Sequence, residues 1–173
     1  MPHAPPALPA LVIGGYLGAG KTTLVNHLLR AAARPASAGG VGQRVAVLVN
    51  DFGELSIDAA LIEGADGDVL ALAGGCVCCS FGADLVGALE RLGRRVPRPE
   101  RVLIETSGVG LPLAVARSAG LAFGAGLVVE GIVVVADAGA LRRQVQARYI
   151  GETVRRQLDE ADLLVLGKSD LLA

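Results

Sequence analysis

The sequence predicts an α/β fold: a mostly parallel β-sheet with helices on both faces. Three observations carry that prediction. Short runs that are apolar throughout recur along the chain, as expected of strands buried on both sides. Segments with helical periodicity lie between them, which is what crossovers in a parallel sheet require. Polar and glycine-rich residues follow directly on the strand ends, where open α/β sheets bind ligands. The chain has 173 residues, 52% apolar and 3% aromatic, so a single core of Val, Leu, Ile and Ala is expected.

Each element can be justified in turn. Residues 1–9, rich in proline, read as a flexible tail, and residues 10–173 as one domain. Ala10 to Ile13 is a short buried strand that runs into Gly14 and Gly15. Lys21 to Ala33 has helical periodicity, with Leu24, Leu28 and Leu29 on one side. Arg34 to Gln43 is a loop by composition, and Arg44 to Val49 a second strand. Asn50 to Asp58 is polar and reads as irregular, whereas Asp68 to Ala73 is a third strand. Ala83 to Leu92 is an amphipathic helix, and Val102 to Ile104 a strand that ends at Glu105. Gly120 to Leu141 is the most apolar stretch, but Glu130, Asp137 and several glycines interrupt it. Those breaks suit two strands, or a loop and a strand, better than a membrane span. Within it Ile132 to Ala136 is a strand ending at Asp137; Glu152 to Glu160 is helical and Leu163 to Leu166 is the last strand.

Charge and cysteine usage narrow the function. A net charge of −1 argues against a general nucleic-acid binder. The cluster Arg91, Arg94, Arg95, Arg98 and Arg101 reads as a solvated helix end and loop. The proline-rich start lacks a basic segment of the secretory type, so a cytoplasmic location is expected. All three cysteines fall between positions 76 and 79, which is no disulfide framework and suits a reducing compartment.

The pattern G-x-x-x-x-G-K-[ST] occurs once, as Gly15 to Thr22, between a predicted strand and a predicted helix. It is a P-loop by both pattern and context. Gly15, Gly18, Ala19 and Gly20 would turn backbone N–H groups toward an anion, and the helix N-terminus adds positive potential. Lys21 would bridge the β- and γ-phosphates, Thr22 would hold magnesium, and Thr23 would donate to the α-phosphate. Glu105 opens the segment Glu105-Thr106-Ser107-Gly108 and could organise magnesium-bound or attacking water; the Gly108 N–H could meet the γ-phosphate. Asn50-Asp51-Phe52-Gly53-Glu54 supplies further carboxylates on a loop. His27 in the first helix and His3 in the tail read as ordinary surface or packed residues rather than ligands.

Two more sites follow. Lys168-Ser169-Asp170, after the last strand, would place a carboxylate near a purine base; guanine offers it two adjacent donors, N1–H and N2–H, whereas adenine has an acceptor at N1 and no amine at C2. Charge-assisted hydrogen bonds are each worth about 1.5–3 kcal/mol, so one Asp can decide the base. Cys76-Val77-Cys78-Cys79 packs three sulfurs into four residues. Two thiolates ~4 Å apart repel by about 4 kcal/mol at an effective dielectric near 20. Such a cluster stays protonated or binds a soft or borderline cation such as Zn²⁺, Co²⁺ or Cu⁺, and three ligands leave a fourth position open. Inert buried thiols and a redox switch are the competing readings of the same residues.

Taken together, these segments resemble the CobW-type family of P-loop GTPases, which act as metal chaperones and insertases. The resemblance runs from about Ala10 to Leu172, and the Cys-x-Cys-Cys signature inside a P-loop domain is its specific part. It implies a P-loop NTPase fold, a three-layer sandwich around the sheet. It also implies a chain truncated relative to the family, expected to lack the last elements of the nucleotide domain and a C-terminal domain. It implies that Lys21 and Thr22 serve phosphate and magnesium, and that Cys76, Cys78 and Cys79 bind metal. Asn50, Asp51, Gly53 and Glu54 would form a switch linking metal to nucleotide, and Glu105 to Gly108 would sense the γ-phosphate. The implied ligands are GTP, Mg²⁺ and Zn²⁺ or another transition-metal ion. The implied partners are a client metalloprotein and, in the nucleotide-bound form, a second copy of the chain; no nucleic acid or membrane is expected. Two positions depart from the family: Gly167 stands where Asn is usual, and Asp51 where Glu is usual. No arginine finger is evident, so hydrolysis is expected to be slow; Ras without its activating protein turns over at roughly 3–5 × 10⁻⁴ s⁻¹. The alternatives are a nucleotide- or metal-binding module without effective turnover and an ATP-dependent small-molecule kinase.

Overall fold

The computed structural model describes residues 6–39, 42–49, 69–71, 87, 92, 94, 96–123 and 126–172. Six strands form one sheet: β1 (Leu8–Gly14), β2 (Val45–Val49), β3 (Val69–Ala71), β4 (Arg101–Glu105), β5 (Leu127–Asp137) and β6 (Leu163–Gly167). Their order is β3-β2-β4-β1-β5-β6 and every neighbouring pair is parallel. The helices are α1 (Lys21–Ala33), α2 (Pro112–Phe123), α3 (Leu141–Gln146) and α4 (Gly151–Asp159), with short 3₁₀ turns at Ala36–Ala38 and Ser169–Leu171.

Two apolar clusters explain the three layers. Because side chains alternate across a strand, Val12 and Ile13 face opposite ways. Val12, Leu48, Ile104, Ile132 and Val134 pack with Val115 and Ala119 of α2 and with Leu158 of α4. Ile13, Val47, Val49, Leu103 and Val135 pack with Val25, Leu29 and Ala32 of α1. Burying a Val or Leu side chain contributes about 1.5–3 kcal/mol, so these contacts and not intrinsic propensity hold the short helices.

The structure departs from the sequence reading in a few places. β1 begins at Leu8, inside the expected tail, because Leu8 is buried and pairs with Leu127. α2 and α3 were not anticipated. Pro112 occupies the first turn of α2, where its missing N–H costs nothing. The apolar stretch 120–141 is not two strands. Its first four residues close α2, and Leu127–Asp137 is one strand of 11 residues. Of the predicted helix 83–92, Gly87 and Leu92 are described and helical, and Leu92 is fully buried. Among the arginines at 91–101, Arg98 Nη1 donates to the Pro6 carbonyl and Arg101 pairs with Glu130. No helix of the described residues is long and apolar enough to cross a membrane.

Candidate functional site: a nucleotide cradle at the sheet's C-terminal end

Residues 15–20 turn the chain from the end of β1 into α1. Gly15, Gly18 and Gly20 have φ of 135°, 72° and 103°, which L side chains rarely adopt. Their surroundings differ. A Cβ on Gly15 would stand 2.2 Å from the Val135 carbonyl oxygen, so this glycine lets the loop sit against β5. A Cβ on Gly18 or Gly20 would meet nothing within 4 Å, so these two line open space. Gly20 is the N-cap of α1 and supplies no side-chain cap to the helix. A glycine-lined hollow at a helix N-terminus is a ready anion site. Lys21 is only 5% exposed, an unusual place for a cation unless an anion or carboxylate accompanies it. Thr23 and His27 lie on the exposed side of α1.

The partner of this loop across the sheet is the end of β4. Thr22 Oγ1 donates to Glu105 Oε1 at 2.7 Å, although 83 residues separate them. Glu105 is 0% exposed. With its proton engaged by the carboxylate, the Thr22 oxygen keeps its lone pairs for a cation. The residues present therefore fit magnesium: a hydroxyl and a carboxylate, both oxygen donors, beside an anion cradle. The Thr106 N–H donates to the Ile13 carbonyl at 2.9 Å, which fixes the segment against β1. The following turn is closed by the Gly110 N–H on the Ser107 carbonyl at 3.0 Å. A Cβ on Gly108 would fall 2.9 Å from the Leu17 nitrogen, so the turn lies directly on the P-loop. Ser107 Oγ is buried and has no hydrogen-bond partner among the described residues.

Two features escaped the sequence reading. Gln157 of α4 is 1% exposed, and its Nε2 donates to the carbonyls of Gly108 at 3.2 Å and Gly110 at 2.8 Å. The available signal was a polar residue in the inward stripe that holds Gly151 and Val154. Asp137, in sequence only a strand terminus, is the second. Its Oδ1 accepts the Gly139 and Ala140 N–H groups, and its Oδ2 accepts Lys168 Nζ at 2.8 Å. The Lys168 ammonium holds the Asp137 carboxyl below the usual carboxylate range, with help from the Ala140 and Gly139 N–H groups. Lys168 itself takes the left-handed conformation at φ 58°, a strain typical of built sites.

The structure brings three of the predicted segments to one end of the sheet: residues 15–23, residues 105–108 and residues 167–170. A Cβ on Gly167 would lie 3.3 Å from the Ala19 carbonyl oxygen, so the Lys168 loop abuts the P-loop. Asp170 is exposed in the 3₁₀ turn just beyond. Asn50, Asp51, Gly53 and Glu54, and the cysteines at 76, 78 and 79, lie outside the described residues. The strands that lead to them, β2 and β3, end at Val49 and Ala71 on the same side of the sheet as β1 and β4.

The family model of the CobW/HypB/UreG nucleotide-binding domain matches residues 9–173. Zinc chaperone CobW of Sinorhizobium sp is 32% identical over 191 residues, covering 95% of this chain and 52% of the relative. Zinc chaperone YeiR of Escherichia coli (strain K12) is 34% identical over 160 residues, covering 92% of this chain and 46% of the relative. The chain thus spans about half the length of these curated relatives. Among solved structures, HypB from Helicobacter pylori in complex with nickel superposes with a TM-score of 0.65 at 17% identity, over 96% of this chain and 66% of that one. The Zn(II)-bound YjiA GTPase from E. coli gives 0.58 at 23% identity, over 95% of this chain and 50% of that one. At such identities these structures attest the α/β P-loop fold. The family match takes in the P-loop, the Glu105 turn and the Lys168 loop together, and on that ground the chain belongs to the CobW/HypB/UreG family.

Proposed function

We propose that this domain binds and slowly hydrolyses GTP in order to load and release a transition-metal ion, Zn²⁺ or a close relative. The ion would be held at Cys76, Cys78 and Cys79 and passed to a client metalloprotein. The reading rests on one observation above all: the Thr22–Glu105 hydrogen bond at the mouth of an open glycine cradle. Names of relatives as zinc chaperones, and of one as a zinc-regulated GTPase metalloprotein activator, support the metal half.

In this reading the N–H groups of residues 15–20 and the Lys21 ammonium bind the phosphates. Thr22 and Glu105 hold magnesium, which when bound offsets charge on the phosphate oxygens. Glu105 also orients the attacking water, and the Gly108 N–H meets the γ-phosphate. Asp170 accepts from the guanine edge, while Lys168, fixed by Asp137, shapes the base loop. Residues 50–54 carry the nucleotide state to the cysteines. The nucleotide can favour metal loading only through a difference in affinity between its two states.

Nucleotide choice tests the first half. Competition of GTP, ATP and GDP against a fluorescent guanine nucleotide should show GTP and GDP displacing it at least tenfold better than ATP, a gap of about 1.4 kcal/mol. An ATP preference would favour the small-molecule kinase reading and sink this one. Guanine binding without single-turnover hydrolysis would leave a binding module.

A further inference from the structure

We propose that Gln157 is a positioning residue for the triphosphate state, and that α4 is the element that holds the γ-phosphate-facing turn. The proposal rests on the GTP reading above and adds to it a residue and a route.

α4 grips the segment after β4 at three points. The Gln157 amide reaches the Gly108 and Gly110 carbonyls. One turn further on, Glu160 Oε2 accepts the Leu113 N–H at 2.9 Å, at the start of α2. On its other side the same segment touches the P-loop, because Gly108 leaves no room for a Cβ beside Leu17. Gln157 also lines a small, partly open cavity with Tyr16 of the P-loop, Val135 and Gln144. The Ser107–Gly110 turn is therefore held between the phosphate loop and one buried amide.

The chemistry of that amide matters. A primary amide offers two N–H donors, and here both accepting carbonyls belong to the turn. Fixing the Gly108 carbonyl fixes the peptide plane after Gly108, and with the Ser107–Gly110 bond it restricts the rotation of the turn that presents the Gly108 N–H. Oriented N–H donors give their advantage only when they need not reorganise as the ligand arrives. After α4 the chain runs through Asp162, whose Oδ2 accepts the Ile132 N–H at 2.8 Å, into β6 and the Lys168 loop. A movement of the turn on loss of the γ-phosphate must break or carry the Gln157 bonds, so α4 responds to nucleotide state.

The test uses Gln157→Met, which keeps the shape and removes both donors, and Gln157→Glu. Affinities for GDP and a non-hydrolysable GTP analogue are measured alongside single-turnover hydrolysis. For Gln157→Met, GDP affinity should stay within about twofold, while analogue affinity and the hydrolysis rate each fall on the order of tenfold. For Gln157→Glu, burial raises the carboxyl's pKa, and the protonated form donates one bond. Hydrolysis relative to wild type should therefore recover as pH is lowered from about 8 to about 6. A parallel loss of GDP and analogue affinity, or a lower melting temperature with unchanged hydrolysis, would reduce Gln157 to a packing residue and overturn the proposal. Should neither variant fold, amide exchange on the wild type decides. Residues 151–159 should change protection between the GTP analogue and GDP together with residues 107–110, and a change confined to the turn would overturn it. Wild-type protein that binds no GTP would instead defeat the underlying function, a result seen without any variant.

Discussion

Replacing Glu105 by Gln probes the site with almost no change in shape. The Thr22 hydroxyl, 2.7 Å from Oε1, keeps an acceptor but loses the charge on it. Hydrogen bonds to a charged group contribute about 1.5–3 kcal/mol and neutral ones about 0.5–1.5, so the Thr22 bond weakens by roughly 1–1.5 kcal/mol. Binding suffers separately: a neutral amide holds a divalent cation less well than a carboxylate, so magnesium-supported GTP affinity should fall on the order of tenfold. If Glu105 also orients the water, hydrolysis loses a preorganised group, and such losses run to about 10²–10³-fold in rate. The two effects separate experimentally. Fluorescent-nucleotide titrations with and without magnesium give the first, and single-turnover hydrolysis gives the second. Nucleotide affinity in the absence of magnesium should be nearly unchanged. The melting temperature should fall by no more than about 6 °C, since each kcal/mol shifts it by about 2–4 °C in a domain of this size. Hydrolysis within about threefold of wild type would refute the catalytic role of Glu105, since the expected loss is on the order of 10²-fold or more. An equal affinity loss with and without magnesium would refute its magnesium role.

Three further outcomes follow from the geometry. Gly15→Ala should cost more than about 3 kcal/mol and prevent folding, because its Cβ would stand 2.2 Å from the Val135 carbonyl oxygen at φ 135°. Gly18→Ala meets only open space and should fold with a penalty of about 1–2 kcal/mol, yet lose GTP affinity; denaturant melts and titrations distinguish the two. Gly167→Asn places an amide beside the Ala19 carbonyl, 3.3 Å from its Cβ, and should tighten GDP binding by up to about tenfold in calorimetry. The Lys168–Asp137 pair depresses the Asp137 pKa, so its contribution is present above the unfolded carboxylate value near about 3.9 and is lost as pH falls through the lower folded value. Guanine-nucleotide affinity of wild type and Asp137→Asn should thus differ by a constant factor from about pH 8 to about pH 5, the gap closing only in more acid solution.

How much of this was legible beforehand depends on the range of the interaction involved. α1 was read to the residue, because Lys21 follows the Gly20 cap and Arg34 precedes Pro35, which disfavours helix at Arg34. The strand cores were legible because each is apolar throughout. α2 was not. Its Ala-rich, glycine-flanked sequence blurs into the apolar stretch after it, and only Pro112 marked a start. At the site, the parts were legible and the joints were not. Lys21, Thr22 and Glu105 could be singled out as candidates from local patterns. That Thr22 donates to Glu105, that Lys168 pairs with Asp137 31 residues away, and that Gln157 reaches back nearly 50 residues to Gly108 depend on strand order. A polar residue within an apolar stripe was the trace Gln157 left in the sequence, but nothing local distinguishes a clamp from a satisfied core amide.

The central claim is that nucleotide and metal sites are coupled. It is tested most directly by titrating Zn²⁺ against the protein in magnesium-GTP analogue, in GDP and without nucleotide, with Cys76→Ser, Cys78→Ser and Cys79→Ser combined as the control. Allosteric couplings of this kind are typically 1–3 kcal/mol, so zinc should bind roughly 5- to 150-fold more tightly with the analogue than with GDP, and the triple variant should lose the site. Equal zinc affinity in all three nucleotide states, or an unchanged site in the triple variant, would contradict the account.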